Sequence, residues 1–203
     1  MSGNLSNNLY SGEYDIIIIG AGIIGLTQAA LLTKLNLKIA IIDKKFPSNN
    51  IQDLNLEKYD LRVSAITPKT TKIWQNLSQN IWDNIIDTRA YAYNKMHVWD
   101  DASQNNINFS SQNIGQPYLG HIIENKIITH CLFKYLSKKN IDFITNTPIN
   151  IKQNNNKWDI ICDQTSNKFK TKLIIGADGA NSWVRSQAGI KINTKDYNQR
   201  AFV

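Results

Sequence analysis

The sequence predicts an α/β fold with a mostly parallel sheet, and three consecutive segments support this prediction. Residues 15–19 are a short, continuous, β-branched run that ends at a glycine, which is typical of a buried strand. Residues 23–35 carry apolar side chains at helical spacing, and residues 38–43, KIAIID, are a second apolar run. A strand, a helix and a strand in this order almost always form a right-handed crossover, so the two strands are expected to be parallel.

The rest of the chain is predicted to add strands of both kinds and further helices. Residues 96–100 and 107–111 are expected to belong to a separate, antiparallel sheet. Residues 149–163 alternate around an asparagine-rich turn and are predicted to form a hairpin, because asparagine tolerates a positive φ. Other strands are predicted at residues 141–145 and 172–176, the latter as a third buried strand, and other helices at residues 67–77 and 122–138.

Composition and charge restrict the class of protein. The chain has 203 residues, 42% of them hydrophobic, which is enough for a buried core. The net charge of +7 permits an anionic partner or a merely solvated basic surface, and no nucleic-acid motif accompanies the lysines, so no nucleic-acid partner is expected. The two cysteines and three histidines form no metal-ligand pattern, so no metal site is expected. The sequence contains no signal peptide and no bilayer-spanning apolar run, which predicts a cytoplasmic protein.

A glycine-rich turn between the first strand and the first helix is the clearest functional signal. Gly20, Gly22 and Gly25 fit the pattern G-x-G-x-x-G. The first glycine permits the tight turn, the second has no side chain to obstruct a pyrophosphate, and the third lets the helix lie close to the strand. Ile23 opens the helix, whose free N–H groups and dipole favour phosphate charge. We therefore expect a Rossmann-like dinucleotide site; the alternative is a glycine-rich turn without a ligand.

Two aspartates follow the predicted strands of this sheet. Asp43 ends the second strand at about the spacing expected for an acid that binds ribose, although it could instead cap a loop. Asp178, in ADGANSWVR, is expected at the carboxyl edge of the sheet, where open α/β sheets bind ligands. Arg185 lies on the next turn and could meet a phosphate. The alternative for Asp178 is a cap on the NSWVR helix, and the residues alone do not decide between these roles.

Four segments, in order along the chain, resemble one protein family. They are DIIIIGAGIIGL, DLRVSAITPKTTKIWQNL, LGHIIENKIITHCL and LIIGADGANSWVR, with MHVWD as a supporting fifth. Together they resemble the FAD-dependent aromatic hydroxylases of the p-hydroxybenzoate hydroxylase superfamily, and most of all the ubiquinone-biosynthesis hydroxylases that act on polyprenyl phenols. The resemblance spans residues 15–185 and implies a Rossmann-like FAD-binding domain, with a mostly parallel sheet, joined to the beginning of an antiparallel-sheet substrate domain.

The resemblance implies roles for the first glycine turn and its neighbouring acid. Gly20, Gly22 and Gly25 would bind the pyrophosphate of FAD. Asp43 stands where the family usually carries a glutamate, an acid one methylene longer, that contacts the adenosine ribose.

The resemblance also implies roles for residues further along the chain. Arg62 would lie against the FAD phosphates, the alternative being a surface salt bridge with Asp60. Asn125 would face the flavin ribityl chain, the alternative being a polar residue near a helix start. Asp178 and Arg185 belong to the motif that the family uses for both FAD and NAD(P)H.

The function implied by the resemblance is that of a monooxygenase with FAD and NAD(P)H as cofactors. Such enzymes use NAD(P)H and O2 to hydroxylate the ring of a phenol, and no residue of this chain is predicted as a catalytic acid or base. Three alternatives stay open: a flavin hydroxylase of a small soluble aromatic, a truncated non-catalytic nucleotide-binding module, and an NAD-dependent dehydrogenase. The last alternative leaves ADGANSWVR and LGHIIEN without a role.

The predicted domain organisation follows from the same resemblance. Residues 1–13 are expected to be a disordered tail, and residues 14–190 an FAD-binding domain in which residues 92–120 contribute strands of the substrate domain. Residues 191–203 are expected to start a truncated substrate domain. The resemblance covers only the N-terminal half of the family, so the parent protein is expected to be active and the 203-residue chain alone inactive. A polyprenyl substrate implies peripheral contact with an inner membrane, and a homo-oligomer or a biosynthetic complex is a further expectation.

Overall fold

The structure is a computed structural model that describes residues 10–103, 105–163 and 167–199. The strands are β1 (Tyr10–Ile19), β2 (Ile39–Asp43), β3 (Val63–Ile66), β4 (Tyr91–Tyr93), β5 (Lys95–Trp99), β6 (Asn106–Ser110), β7 (Gly120–Glu124), β8 (Ile141–Thr145), β9 (Pro148–Asn154), β10 (Lys157–Cys162) and β11 (Lys168–Gly176). The helices are α1 (Ile23–Leu32), α2 (Pro68–Leu77), α3 (Gln79–Thr88), α4 (Asn125–Leu136) and α5 (Trp183–Gln187). None of the helices in these ranges is long and apolar enough to cross a membrane. Residues 50–132 form one compact unit, and the residues before and after them form the other.

The first unit, which contains both chain ends, is built on a six-stranded sheet in the order β8-β2-β1-β11-β10-β9. The pairs β8–β2, β2–β1 and β1–β11 are parallel, whereas β11–β10 and β10–β9 are antiparallel. The sheet is therefore mostly parallel, which confirms the predicted α/β class. The β9–β10 pair is the predicted hairpin, and Asn155 at its turn has a φ of 54°. The carboxyl ends of four parallel strands meet at one edge of this sheet, and that edge carries the glycine turn.

Isoleucines of β1 and β2 form the centre of the core of this unit. Ile17 and Ile18 are both fully buried, as is Ile41 of β2. Because successive strand residues face opposite sides, the sheet is covered on both faces here, as expected for parallel strands. Helix α1 contacts both strands and contributes the fully buried Leu26 and Ala29; it ends at Leu32 rather than at the predicted residue 35.

The second unit contains two antiparallel sheets. Strands β3, β7 and β4 form one sheet with β7 in the centre, and β5 and β6 form a two-stranded ribbon. The ribbon confirms the two strands predicted near residues 96–100 and 107–111. Helices α2 and α3 meet through the buried side chains of Trp74 and Trp82, whose ring centroids are 6.4 Å apart. Helix α2 begins with Pro68, one residue after the predicted start at residue 67, and proline is favoured at the first position of a helix.

The first strand is longer than the sequence predicted. The prediction of a disordered tail over residues 1–13 is wrong for residues 10–13, because β1 begins at Tyr10 and its Gly12 and Glu13 pair with Phe169 and Lys170 of β11. Ladder hydrogen bonds join backbone groups, so a polar composition does not stop a strand from extending beside a neighbour. Residues 1–9 and 200–203 lie outside the described part of the chain.

Helix α4 starts later than predicted. Residues 122–124, predicted as its first turn, belong to β7, where Ile122 pairs with Ala65 of β3 on one side and with Tyr91 of β4 on the other. A central strand satisfies its backbone groups on both sides, and this pairing outweighs the helical spacing of a few apolar residues. The buried residues of the helix include Ile127, Ile128, Cys131, Leu132 and Leu136, which recur at helical spacing.

Strand β11 is not buried along its whole length. Phe169 and Thr171 are buried, but Leu173 is 50% exposed. Within the described part of this unit, the element that follows β11 is the five-residue α5, where Val184 packs on Gly176 and a β-carbon on that glycine would lie 2.9 Å from the valine Cβ. So short a helix covers only the end of the strand. The strand predicted over residues 172–176 is present, but the prediction that it is buried is wrong.

Candidate functional site

A cleft of about 340 Å³ lies at the carboxyl edge of the parallel sheet in the first unit. It forms where β1, β2, β8 and β11 end, because the chain leaves each of these strands at the same edge. Open α/β sheets bind their ligands at this edge. Its lining includes Gly20, Asp43, Lys44, Asn146, Thr147 and Asp178.

The three glycines of the turn between β1 and α1 have three different surroundings. Gly20 has a φ of +112°, and a β-carbon there would lie 2.3 Å from the carbonyl oxygen of Ala177, so only glycine fits the turn. At Gly25 a β-carbon would lie 1.9 Å from the carbonyl oxygen of Gly20, so glycine is required for close packing of α1 on the strand. At Gly22 a β-carbon would meet nothing within 4 Å. The space beside Gly22 is therefore open, as a pyrophosphate approaching the backbone would require.

The start of α1 lies beside this open space. Gly22 is the residue that caps the helix, no side chain accepts a hydrogen bond from the first-turn N–H groups, and the first turn contains no acidic residue. These N–H groups, beginning with that of Ile23, point away from the helix body and carry the positive end of its dipole. The helix start can therefore receive an anion.

Asp43 ties the end of β2 to the glycine turn. Its Oδ2 accepts the N–H of Ala21 at 2.6 Å, and its Oδ1 accepts the N–H of Lys45 at 3.2 Å. The loop-capping role that the sequence left open is therefore present in the structure. Each carboxylate oxygen can accept a second hydrogen bond, and Asp43 also lines the cleft. Its contact with a ribose stays a prediction.

Asp178 organises the loop between β11 and α5. Its Oδ1 accepts the Ser182 hydroxyl at 2.6 Å, and its Oδ2 accepts the N–H groups of Trp183 and Val184 at 2.6 and 3.1 Å. Burial on its own would raise the pKa of Asp178, but these hydrogen bonds outweigh it and the pKa lies below its ordinary value. Arg185, which is predicted to meet a phosphate, donates from Nη2 to the carbonyl oxygen of Ala180 at 2.9 Å. Both residues thus have structural partners within one loop.

The other two predicted cofactor contacts lie in the second unit and are neighbours there. The N–H of Asn125 donates to the carbonyl oxygen of Arg62 at 2.9 Å, and the side-chain Oδ1 of Asn125 accepts the Ser64 hydroxyl at 2.6 Å. Arg62 is exposed, and its guanidinium makes no hydrogen bond or ion pair with any described residue. The alternative of a salt bridge with Asp60 is not found, since Asp60 accepts the backbone N–H of Arg62 at 2.9 Å instead.

A comparison with protein families assigns the chain. The model of a family described as "FAD binding domain" matches residues 13–202. The chain belongs to this FAD-binding-domain family. Human "Ubiquinone biosynthesis monooxygenase COQ6, mitochondrial" is 32% identical over 207 residues, covering 94% of this chain and 42% of the relative. Escherichia coli (strain K12) "3-demethoxyubiquinol 3-hydroxylase" is 26% identical, covering 91% of this chain and 46% of the relative.

Solved structures agree on the fold of this FAD-binding-domain chain. The flavin-dependent monooxygenase PieE, in complex with FAD and substrate, matches with a TM-score of 0.69 and 16% identity, covering 91% of this chain and 33% of that one. A mutant of Pseudomonas aeruginosa PqsL matches with a TM-score of 0.70 and 13% identity, covering 91% of this chain and 48% of that one. The resemblance drawn from the sequence motifs is confirmed, and the chain spans less than half the length of these relatives.

Several residues that line the cleft of this family member escaped the sequence analysis. Asn146 is buried; its N–H donates to the carbonyl oxygen of Asp43 at 3.0 Å, and its side chain accepts the N–H of Thr147 at 2.8 Å. One signal could have found both residues, since they directly follow β8 and a parallel strand ends at the ligand edge. The sequence alone does not show that β8 lies beside β2. Lys44, Asn181 and Trp183 also line the cleft, and the sequence did not predict them as site residues.

The residues that the structure describes contain no group of side chains placed to bind a metal ion, and both cysteines are buried. No three histidine, cysteine, aspartate or glutamate side chains come together there as metal ligands. Cys131 and Cys162 are buried and not joined in a disulfide, and burial raises the pKa of the Cys162 thiol to about 11. A thiol with so high a pKa is protonated at neutral pH and is a poor nucleophile.

Proposed function

We propose that this chain is the FAD-binding part of a flavin-dependent monooxygenase of ubiquinone biosynthesis. The parent protein would hydroxylate the aromatic ring of a polyprenyl phenol with NAD(P)H and O2. The observation that carries the proposal is the unobstructed backbone at Gly22, beside the uncapped start of α1, in a chain that belongs to the FAD-binding-domain family. Residues in this arrangement fit a dinucleotide pyrophosphate.

The first unit would hold the adenine-nucleotide side of FAD. Gly20 and Gly25 keep the turn tight, Gly22 leaves open space in which the pyrophosphate would lie, and the N–H of Ile23 would face its charge. Asp43 would accept a ribose hydroxyl with the lone pairs that Ala21 and Lys45 leave unused. A bound flavin would supply electron uptake from NAD(P)H and activation of O2, so the chain's own residues would bind and orient it rather than react.

The remaining predicted contacts are kept as part of the proposal. Arg62 would meet the FAD phosphates through its guanidinium, for which no described residue is a partner, and Asn125 would contact the ribityl chain. Asp178 and Arg185 would meet the cofactor from the loop that their hydrogen bonds to Ser182 and Ala180 shape. Their part in NAD(P)H use rests on the motif resemblance alone.

The substrate class is supported by the names of the relatives, which are a ubiquinone biosynthesis monooxygenase and a 3-demethoxyubiquinol 3-hydroxylase. These names favour a polyprenyl phenol over a small soluble aromatic. A polyprenyl chain partitions into a bilayer, so the parent protein would contact an inner membrane from its surface, and the net charge of +7 is compatible with attraction to anionic lipid. A homo-oligomer or a biosynthetic complex is part of the same proposal.

The second candidate is a nucleotide-binding module without catalytic activity. It is favoured by the share of the human relative that the chain covers, which is 42%. A flavin site that is open to water does not sustain hydroxylation. We therefore propose that the 203-residue chain binds FAD but does not hydroxylate, and that the full-length parent does both.

Titration of FAD into the 203-residue chain tests the binding half of this proposal. Flavin fluorescence is expected to change on binding, with FAD bound more tightly than NAD+. Gly22→Val fills the open space and should abolish binding without unfolding the chain, because its β-carbon meets nothing within 4 Å. Gln28→Val, which introduces the same side chain on the exposed face of α1, is the control. Equal FAD binding by the Gly22→Val variant would contradict the proposal.

An assay of the full-length parent tests the catalytic half. Oxidation of NAD(P)H should be coupled to hydroxylation of a polyprenyl phenol. A parent that is equally active on a small soluble phenol would support the rival hydroxylase. A parent that binds FAD but oxidises no NAD(P)H in the presence of either phenol would support the non-catalytic module.

A further inference from the structure

The segment that leads to Arg62 is held by polar contacts rather than by burial. Residues 56–62 belong to no helix and no strand. Tyr59 is 77% exposed and Leu61 is 84% exposed, so apolar packing of these side chains does not order the segment. A segment with this composition would ordinarily be among the less stable parts of a domain.

Three charged side chains bind alternate backbone groups of this segment; we call Arg89, Glu124 and Lys126 the strap. The Nη1 of Arg89 donates to the carbonyl oxygen of Leu56 at 2.8 Å, and the Nζ of Lys126 donates to that of Lys58 at 3.0 Å. The N–H of Asp60 donates to Oε2 of Glu124 at 2.9 Å. Backbone groups of residues 56, 58 and 60 are thus each bound by a different member of the strap.

The members of the strap also bind one another. The Nε of Arg89 donates to Oε1 of Glu124 at 2.6 Å, and Lys126 lies 3.1 Å from the other carboxylate oxygen. The side chain of Glu124 is only 5% exposed. Burial on its own would raise the pKa of Glu124, but the Asp60 N–H, Lys126 and Arg89 outweigh it, and the pKa lies below its ordinary value. The carboxylate is therefore charged and fully occupied by donors at neutral pH.

A buried ion cluster of this kind contributes little net stability. Removing charges from water costs free energy that the attraction between them only about offsets, and apolar side chains of similar size would often stabilise as well. The strap instead holds in one conformation a segment that belongs to no helix and no strand. Buried ionic groups have been found to select one conformation in some proteins.

The conformation that the strap selects is that of the backbone at Arg62. Oδ1 of Asp60 accepts the Arg62 N–H at 2.9 Å, and the Arg62 carbonyl oxygen accepts the Asn125 N–H at 2.9 Å. Asn125 is the residue after Glu124, so both sides of Arg62 are anchored at the junction of β7 and α4. The guanidinium itself is left without a partner among the described residues.

We propose that Arg89, Glu124 and Lys126 are positioning residues that hold Arg62 ready for the phosphates of FAD before the cofactor arrives. The inference rests on the proposed function for the identity of the ligand, but not for the ordering of the segment. A loop that is ordered before the ligand binds does not add its ordering entropy to the cost of binding. Loss of the strap should therefore weaken FAD binding only through the contact that Arg62 makes.

Hydrogen exchange without FAD tests the ordering. Lys126→Met removes one donor from a partly exposed position and should leave the fold intact, and Arg89→Lys removes the fork that spans Leu56 and Glu124. Both variants should speed exchange of the amides of Asp60 and Arg62 while the amides of β1 stay protected. Lys69→Met, on the exposed face of α2, is the control. Unchanged exchange at both amides in both strap variants would overturn the inference.

A double-mutant cycle with FAD tests the connection to Arg62. If the segment is correctly ordered in about a tenth of Lys126→Met molecules, FAD should bind about tenfold more weakly. In an Arg62→Met background the same substitution should cause no further loss, because the side chain that it positions is absent. An equal loss in both backgrounds would indicate a general structural defect and overturn the inference. Absence of FAD binding by the unsubstituted chain would contradict the proposed function and the ligand named here, while hydrogen exchange would still decide whether the strap orders Arg62.

Discussion

The carboxylate of Asp43 accepts the backbone N–H of Ala21 at 2.6 Å, across a sequence separation of 22 residues. The contact joins the end of β2 to the turn that follows β1, and it fixes the peptide that directly precedes Gly22. Because the adjoining carboxylate oxygen also accepts the N–H of Lys45, one side chain orders two loops at the ligand edge of the sheet. A single acid therefore shapes both the turn after β1 and the loop after β2.

Asp43→Asn is expected to weaken FAD binding by about 10- to 100-fold, since hydrogen bonds to a charged group contribute about 1.5–3 kcal/mol. The amide can accept the Ala21 N–H through its oxygen, but its NH2 group then faces the N–H of Lys45, with which it cannot form the present hydrogen bond. Isothermal titration with FAD measures the loss.

Asp196→Asn is the control for this substitution, because it removes the same charge from an exposed position. It should leave the dissociation constant of FAD unchanged. If the two variants bind FAD equally well, Asp43 is neither a ribose contact nor an anchor of the turn that binding requires.

Substitutions of Gly22 and Gly25, the two later glycines of the turn, should have different effects on the free energy of unfolding. Gly25→Ala places a β-carbon 1.9 Å from a backbone oxygen, so the free energy of unfolding should fall by at least about 3 kcal/mol. Gly22→Ala meets no atom within 4 Å and should change that free energy by less than about 1 kcal/mol, which is the scale of a helix-cap effect. Urea unfolding of both variants measures the difference. Similar stability losses would show that the turn differs from the structure described here.

Asp178 should contribute stability that disappears in acid. Its pKa is lower in the folded than in the unfolded chain, so the contribution is present above the unfolded value of about 3.9 and is lost as pH falls through the folded pKa. Asp178→Asn should cost about 1–2 kcal/mol at neutral pH, the range of a lost helix cap, and progressively less in acid. Unfolding curves without FAD at several pH values test this. Asp101→Asn, at an exposed turn, should show no such trend.

His121 should make the second unit less stable below neutral pH. Its ring is buried between Trp82 and Tyr118, at centroid distances of 5.0 and 4.4 Å, and its Nδ1 has no hydrogen-bond partner among the described residues. Burial lowers the pKa of His121 because it disfavours the charged ring. The unfolded chain therefore binds the proton more readily, and stability should fall as pH drops below the unfolded value of about 6.5.

Urea unfolding at stepwise lower pH measures this effect, and His121→Phe should flatten the dependence. His97→Gln alters an exposed histidine and serves as the control. A His121→Phe variant that keeps the full pH dependence would assign it to another group.

Local patterns predicted the glycine turn of the first unit and the strands on either side of it. The three glycines, the acid at the end of β2, the predicted part of β1 and the whole of β2 lie within residues 15–43, and each feature follows from neighbours a few positions apart. The loop after β11 was predicted only in part, because the sequence placed Asp178 just before α5 without deciding between a cap and a ligand contact. Where the sequence left capping and ligand binding open for Asp43 and Asp178, the structure shows the capping contacts.

Predictions from periodicity failed where a strand partner was distant in sequence. Residues 122–124 have the spacing of a helix but pair with β3 and β4. The short strands β3 and β4 carry too few residues to signal themselves, and helix α3 was not recognised either. In the same way, Asn146 and Thr147 became part of the cleft only because β8 lies beside β2.

By itself, the sequence determined the parallel strands, the bare turn between β1 and α1, and membership of the FAD-binding-domain family. These properties depend on residue order over short distances, and steric rules that act on neighbouring peptides translate them directly into conformation. The tertiary structure alone decided that Glu124 binds the N–H of Asp60, 64 positions earlier in the chain, and thereby fixes the backbone at Arg62. Charged side chains carry no periodic signal, so their partners are known only once folding has paired β7 with its neighbours and brought the donors within hydrogen-bond distance.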